Sequence, residues 1–490
     1  MIDITKNFYE KIISNLKSNN LFIKEKNKQY KYKDILQFYT NIDYIFQNIS
    51  TKKKRICTLS KKTFNFYSSI LSILISKNVW IPLDENLPEK IIAYMIKSSK
   101  ADLILIDTIN EKKYLHFLKK FNIKIINIDK ISKTTKKKPK FYNYKPDELA
   151  MIFFTSGSTG LPKGVLISNI NFISSLDGQI KHIYNNVKNE RLNFADYHQN
   201  SFVISLNIIL PCVFFKAQIS PILHDYERLR ILDHIKKNKI NCLITLPSTI
   251  NQIKLSFKKI FKHNMKIIVM CGEPFYYDVF SFIKNKIKPK YIFNAYGSTE
   301  LSPWVFSYKI KAQDLKEIRK IGMVPIGKKF HNVKILIKND LLYINGPMVN
   351  NYLKKTDNIL NHKIISKKNW YLTNDRVKLI KKNVYVIGRS DSVVKIRGHR
   401  VELRGIESVI RRINGIKNCY VFLGQKKKII AATESSHNNI EFSLKSVLTK
   451  NLQSYMRPSF IQNFKNFPKN KNGKIDRIKI KLKCKKLMLS

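Results

Sequence analysis

The chain has 490 residues, and its 91 Lys and Arg against 34 Asp and Glu leave a formal charge of +57. That length exceeds one ordinary core, so two or three domains are expected. Its longest apolar runs, such as "SFVISLNIILPCVFF", are too short and too polar for a membrane span, and the N-terminus lacks the unbroken apolar stretch of a signal peptide.

In chain order, "MIDITKNFYEKIISNL" spaces apolar residues every three or four positions, the pattern of an amphipathic helix. From Tyr30 to about Ile387, short β-branched runs such as "ADLILID", "NCLITLP" and "KIIVMCGEP" alternate with helical stretches. That alternation predicts an α/β fold with largely parallel sheets. Between "DLLYING" and "NVYVIGR" the runs shorten and are separated by Asn, Asp and Gly, which predicts a small β-rich subdomain of hairpins. After Arg389 a compact, mobile α+β unit is expected, with "VELRGIESVIRRIN" as its clearest helix. The expected division is a large N-terminal domain, 1–388, and a small C-terminal domain, 389–490.

Cys57, Cys212, Cys242, Cys271, Cys419 and Cys484 show no paired spacing, so neither a zinc site nor a disulfide framework is predicted, and reduced thiols in a cytoplasm are expected. The basic residues are spread along the chain beside many Ile, Asn, Phe and Tyr and only 15 Gly and 15 Pro. A- and T-rich codons produce this joint bias, so nucleic acid is not the expected partner. A positive surface does suit an acidic protein.

The densest chemistry lies in "MIFFTSGSTGLPKG", an apolar strand running into a loop from Thr155 to Gly164. Gly157 and Gly160 let backbone N–H groups turn inward, Thr155, Ser156, Ser158 and Thr159 add hydroxyls, and Lys163 adds a positive charge. Those are the parts of a polyphosphate cradle. The spacing differs from the P-loop of nucleoside triphosphatases and from the serine hydrolase elbow.

"TSGSTGLPKG" resembles the phosphate loop of the adenylate-forming enzymes: acyl-CoA synthetases, firefly-type luciferases and amino-acid adenylation domains. The other motifs of that superfamily follow in order: "NAYGSTE" at 294–300, "YLTNDRVKLI" at 371–380, "GRSDSVVKIRGHRVEL" from Gly388, and "NKNGKIDR" around Lys474. The likeness runs from about Tyr30 to Arg477, and its wording is nearest to stand-alone amino-acid adenylation domains and D-alanine:carrier protein ligases.

The resemblance implies ATP and Mg2+ as cofactors. It gives Glu300 the metal, Thr299 the α-phosphate, and Lys474 the charge that forms as carboxylate and α-phosphate meet. Asn294, Ala295, Tyr296 and Gly297, with Gly272 and Glu273, are expected around the adenine, and Asp375 and Arg389 at the ribose. Asp391 would be the hinge, and Gly398 would leave room for a pantetheine arm.

Val203, Asn207, Cys271, Ala295 and Trp304 fall at positions lining the acid pocket. Val203 stands where an activator of α-amino acids has an aspartate for the ammonium. Either the substrate has no α-amino group there, or Asp196, His198 or Asn207 receives it. Two further departures are Asn374 for a glycine, which an Asn can replace in a left-handed turn, and Arg404-Gly405 for Gly-Glu. Too few residues follow Lys474 for a carrier bundle, so an acceptor in trans is expected, an acidic phosphopantetheinyl carrier protein or CoA.

The expected activity is thus ATP-dependent activation of a small carboxylic acid, an amino acid or similar, as its acyl-adenylate, followed by transfer to a thiol. An acyl-CoA or aryl-acid CoA ligase and an inactive nucleotide-binding relative are the alternatives.

Overall fold

The computed structural model describes residues 2–25, 28–49, 52–131, 138–155, 161–222, 227, 230–257, 260–353, 359–360, 370–390, 393–411, 413–435, 440–468 and 475–484. The chain divides into two compact units, one of residues 1–85, 98–153 and 164–390, the other of 86–97, 154–163 and 391–490.

The larger unit is built on two wide sheets. One orders its strands Lys328–Lys329, Trp304–Lys309, Tyr291–Gly297, Ile267–Cys271, Cys242–Thr245, Asn193–Asp196, Gln218–Pro221, Leu21–Glu25 and Lys28–Lys31. Its interior is parallel, and antiparallel strands close both edges. The continuous apolar run "IIVMC" makes sense there, because both faces are covered. Ile267, Val269 and Cys271 enter one core, while Ile268 and Met270 enter another. Phe293 and Ala295 share the first core and Ile292 the second, as the two-residue repeat of a strand requires.

The second sheet runs Ile359–Leu360, Asn351–Leu353, Lys163–Ser168, Leu149–Thr155, Val79–Pro82, Arg55–Leu59, Leu103–Ile106 and Lys124–Asn127. The expected β-rich subdomain is a four-stranded antiparallel sheet of Lys334–Lys338, Leu341–Asn345, Tyr371–Ile380 and Asn383–Arg389. Part of the same stretch, Asn351–Leu353, joins the second wide sheet instead, where Tyr352 pairs with Val165.

Helix ends carry the mark of the composition. The helices Phe64–Ile75, Leu206–Phe214 and Ile231–Lys237 are followed by Lys77, Lys216 and Lys239, whose φ angles are 59°, 52° and 52°. Each lysine N–H returns to a carbonyl of the last turn, and the next N–H returns one residue further back, as Asn78 does to Ile73 at 2.9 Å. These are Schellman closures, with lysine where glycine is usual.

In the smaller unit, Leu403, Ile406, Val409 and Ile410 of the helix Leu403–Ile410 pack on Val421 and Ala431. Those two residues belong to a three-stranded sheet of Ile416–Leu423, Ile429–Ser435 and Phe460–Phe464. Among the described residues no helix is long and apolar enough to cross a membrane. All six cysteines are buried, and none is in a disulfide.

Candidate active site

In open α/β sheets, ligands gather at the carboxyl ends of parallel strands. Cys271 ends one such strand and is the in-register partner of Ala295 on the next. Beyond Cys271, Gly272 turns with φ 76°, and the Glu273 carboxylate accepts the Ser248 N–H at 2.9 Å, near the start of the helix Pro247–Ser256. Asn294 is buried, and its amide donates to the Pro325 carbonyl at 2.9 Å.

The strand Tyr291–Gly297 reverses into Trp304–Lys309 with an irregularity between Tyr296 and Gly297. A Cβ on Gly297 would lie 1.9 Å from the Pro303 carbonyl oxygen, so only glycine fits this approach. Between the two strands, Thr299–Leu301 form a single 3-10 turn, and Glu300 is wholly buried within it. Tyr352 donates its hydroxyl to Glu300 Oε1 at 2.5 Å.

Asp375 and Arg389 are in-register neighbours in the four-stranded sheet. The guanidinium donates to Asp375 Oδ1 at 2.7 Å, and the Tyr296 hydroxyl donates to Oδ2 at 2.5 Å. Burial and then the adjacent carboxylate push the Tyr296 phenol well above its ordinary pKa, so it stays a donor. Tyr296, expected only as a ring beside adenine, thus also fastens the Asp375 carboxylate. Asn374 adopts φ 59°, the left-handed turn that Asn accommodates.

Val203, Cys271, Ala295 and Trp304, expected from the sequence to line the acid pocket, all lie in one buried core. Asn207 follows Val203 by one helical turn and is wholly buried, with neither side-chain amide atom hydrogen-bonded. The other two candidates for an amine are occupied. Asp196 binds Lys62 Nζ at 2.6 Å and the Tyr67 hydroxyl at 2.7 Å. His198 Nε2 lies 3.0 Å from the Ile244 carbonyl, and the His198 carbonyl accepts Lys62 Nζ.

In the smaller unit Thr155 is half-buried and Lys163 exposed. Gly398 has φ 79° beside Arg397 at 48°, making the two-residue turn between Val393–Ile396 and His399–Glu402. Positive φ at both positions is the hairpin geometry that favours glycine at the second, a backbone reason for Gly398 separate from thiol access. Ser156, Gly157, Ser158, Thr159, Gly160, Asp391 and Lys474 lie outside the described residues.

For a divalent cation the donor chemistry fits. Glu300 offers a hard, buried carboxylate oxygen, and Mg2+ at a nucleotide commonly takes one or two carboxylates with phosphate oxygens. Among the described residues no group of three or more His, Cys, Asp or Glu could hold a metal by itself.

Residues 21–346 match the family described as AMP-binding enzyme. This chain belongs to that family. The AMP-binding enzyme is 25% identical to bacitracin synthase 2 of Bacillus licheniformis over 470 residues, which cover 92% of this chain and 17% of the synthase. Its fold is shared with an artificially fused adenylation-PCP di-domain from Klebsiella oxytoca, with a TM-score of 0.79 at 19% identity over 94% of this chain and 93% of that one. It is also similar to o-succinylbenzoate CoA synthetase from Bacillus subtilis, with a TM-score of 0.81 at 15% identity over 96% and 98%. The family places the chain in the adenylate-forming superfamily, whose members use ATP.

Sequence reasoning missed Lys62, Asn350 and Tyr352. Lys62 sits in "SKKTF" among dozens of surface lysines and carries no distinguishing signal. Tyr352 in "VNNYL" interrupts a polar stretch with an aromatic, a faint hint of a buried contact.

Proposed function

We propose that this AMP-binding enzyme activates a small, amino-acid-like carboxylic acid as its acyl-adenylate and passes the acyl group to the thiol of an acidic carrier protein in trans. The observation that carries this reading is the convergence of Tyr296, Arg389 and Asp375 beside the turn that bears Glu300.

In the first step a carboxylate oxygen of the acid attacks the α-phosphorus of ATP, the bond to the β-phosphate oxygen breaks, and pyrophosphate leaves. Asp375, oriented by Arg389 and Tyr296, receives the ribose hydroxyls. Thr299 hydrogen-bonds the α-phosphate and the loop 155–164 holds the polyphosphate. Glu300 would hold Mg2+, which when bound neutralises phosphate charge. Lys474 stabilises charge where carboxylate and phosphate meet. In the second step a thiol attacks the acyl carbonyl and AMP leaves, and residues 389–490 swing about Asp391 so that Lys474 gives way.

The occupied Asp196 and the apolar Val203 favour an acid whose polar group is neutral, such as a hydroxyl, over one with a buried ammonium. Asn207, the buried amide without a partner, is the group to receive it. The acidic carrier is supported by the +57 charge and by the carrier domain fused in the Klebsiella oxytoca di-domain.

The test is acid-dependent exchange of pyrophosphate into ATP across amino, hydroxy, aryl and short fatty acids, with Lys474→Ala alongside and CoA and a carrier protein as rival acceptors. A hydroxy acid outperforming its amino counterpart, with Asn207→Leu erasing the difference, is the expected result. No exchange with any acid, or exchange indifferent to Lys474→Ala, would sink the reading.

A further inference from the structure

The carboxylate of Glu300 sits in a turn with little stiffness of its own. Thr299–Leu301 make one 3-10 turn, and Ser302 leaves it in the left-handed conformation, φ 57°. A single such turn has no helical ladder on either side to fix a side chain.

What fixes it comes from a distant stretch, 350–352. The Asn350 backbone N–H donates to the Glu300 carbonyl at 2.9 Å. Its side-chain amide donates to the Thr299 carbonyl at 2.8 Å and accepts the Ser302 hydroxyl at 2.8 Å. Two residues on, the Tyr352 hydroxyl donates to Glu300 Oε1. Backbone and carboxylate of the turn are therefore held by one clasp.

The clasp is itself anchored. Asn351 pairs with Leu166 and Tyr352 with Val165, on the strand that leaves the glycine-rich loop. The turn instead follows from the strand Tyr291–Gly297 of the other wide sheet. Hence 350–352 joins the strand behind the loop to the turn that carries Glu300.

We propose that Tyr352 is a positioning residue that acts through Glu300: its hydroxyl keeps the carboxylate in the orientation that a divalent cation on the nucleotide requires. The inference rests on the reading of Glu300 as metal ligand. A small cation that demands near-octahedral geometry is sensitive to the rotation of a ligand, and groups that hydrogen-bond a ligand commonly set metal affinity by 10–100-fold. Asn350 supports the same turn through its backbone, so its loss would displace Thr299 as well as Glu300.

The experiment measures binding of ATP by titration calorimetry, with and without Mn2+, and binding of Mn2+ to the ATP complex by electron paramagnetic resonance. Wild type, Tyr352→Phe, Glu300→Gln and the double variant are compared, with thermal midpoints to verify folding. Tyr352→Phe is expected to weaken Mn2+ binding about tenfold, to leave metal-free ATP binding unchanged, and to add nothing in the Glu300→Gln background. Unaltered Mn2+ affinity in Tyr352→Phe, or equal losses with and without Glu300, would overturn it. Wild-type ATP binding with no metal dependence would overturn this inference together with the role given to Glu300, whereas a metal-dependent wild type with an indifferent Tyr352→Phe overturns the inference alone.

Discussion

Lys62 and Asp196 meet at 2.6 Å with side chains only 8% and 1% exposed. The lysine precedes the helix Phe64–Ile75, which follows a strand of one wide sheet, and the aspartate ends a strand of the other. Two charges this deep are tolerable only because each satisfies the other, with Tyr67 and the His198 carbonyl taking up what remains. Lys62→Met should therefore cost about 3–5 kcal/mol by stranding the carboxylate. Lys62→Met with Asp196→Asn should recover much of it, as read from urea unfolding. Equal losses for the single and double variants would show that the charge is not what matters there.

Asp375→Asn should impair nucleotide binding more than folding. The substitution leaves Arg389 facing an amide and weakens the bond from Tyr296, and charge-assisted hydrogen bonds contribute about 1.5–3 kcal/mol each. The expected outcome is a rise in the KM for ATP of roughly 10–100-fold, with a small change in the thermal midpoint. An unchanged KM would remove Asp375 from the ribose site.

Gly297→Ala forces a methyl against the Pro303 carbonyl, which as backbone cannot step aside. Thr299 and Glu300 follow within three residues, so the displacement reaches them directly. A shift of about 1 Å at reacting groups can cost about 100-fold in rate, and pyrophosphate exchange in Gly297→Ala should fall by at least that order. Near-normal exchange would mean that the turn adapts.

Much of this was readable beforehand. The run in "KIIVMCGEP" is legible as a strand of an α/β fold, and the strings around Glu300 and Asp375 single out both carboxylates; that the strand feeds a core on each face comes from the structure. The contacts that orient those carboxylates were not readable. Tyr352 lies 52 residues from Glu300, and Tyr296 lies 79 from Asp375. Lys62 is 134 residues from Asp196, in a chain where a lysine by default faces water. Local pattern reports which face of an element is apolar; it holds no record of which distant polar group will arrive opposite.

Lys216→Gly and Lys239→Gly should each stabilise the protein by about 0.5–1 kcal/mol, because both lysines occupy left-handed backbone that a Cβ disfavours. Their side chains are exposed, so little packing is lost. Additive rises in the urea midpoint are expected. A fall would mean that the lysine contributes more than its backbone costs.

That balance has an electrical side. A helix ends in carbonyls that carry roughly half a negative charge, and a cation close by is worth about 0.3–1 kcal/mol at low ionic strength. Lys77, Lys216 and Lys239 each stand just past such an end. A chain poor in glycine and rich in lysine can thus recover, through the field of its helices, part of what it loses in backbone strain. Dissolved salt screens that recovery and leaves the strain untouched, so the gain from glycine at these positions should grow with ionic strength, even as the same salt eases the self-repulsion of a chain that carries +57.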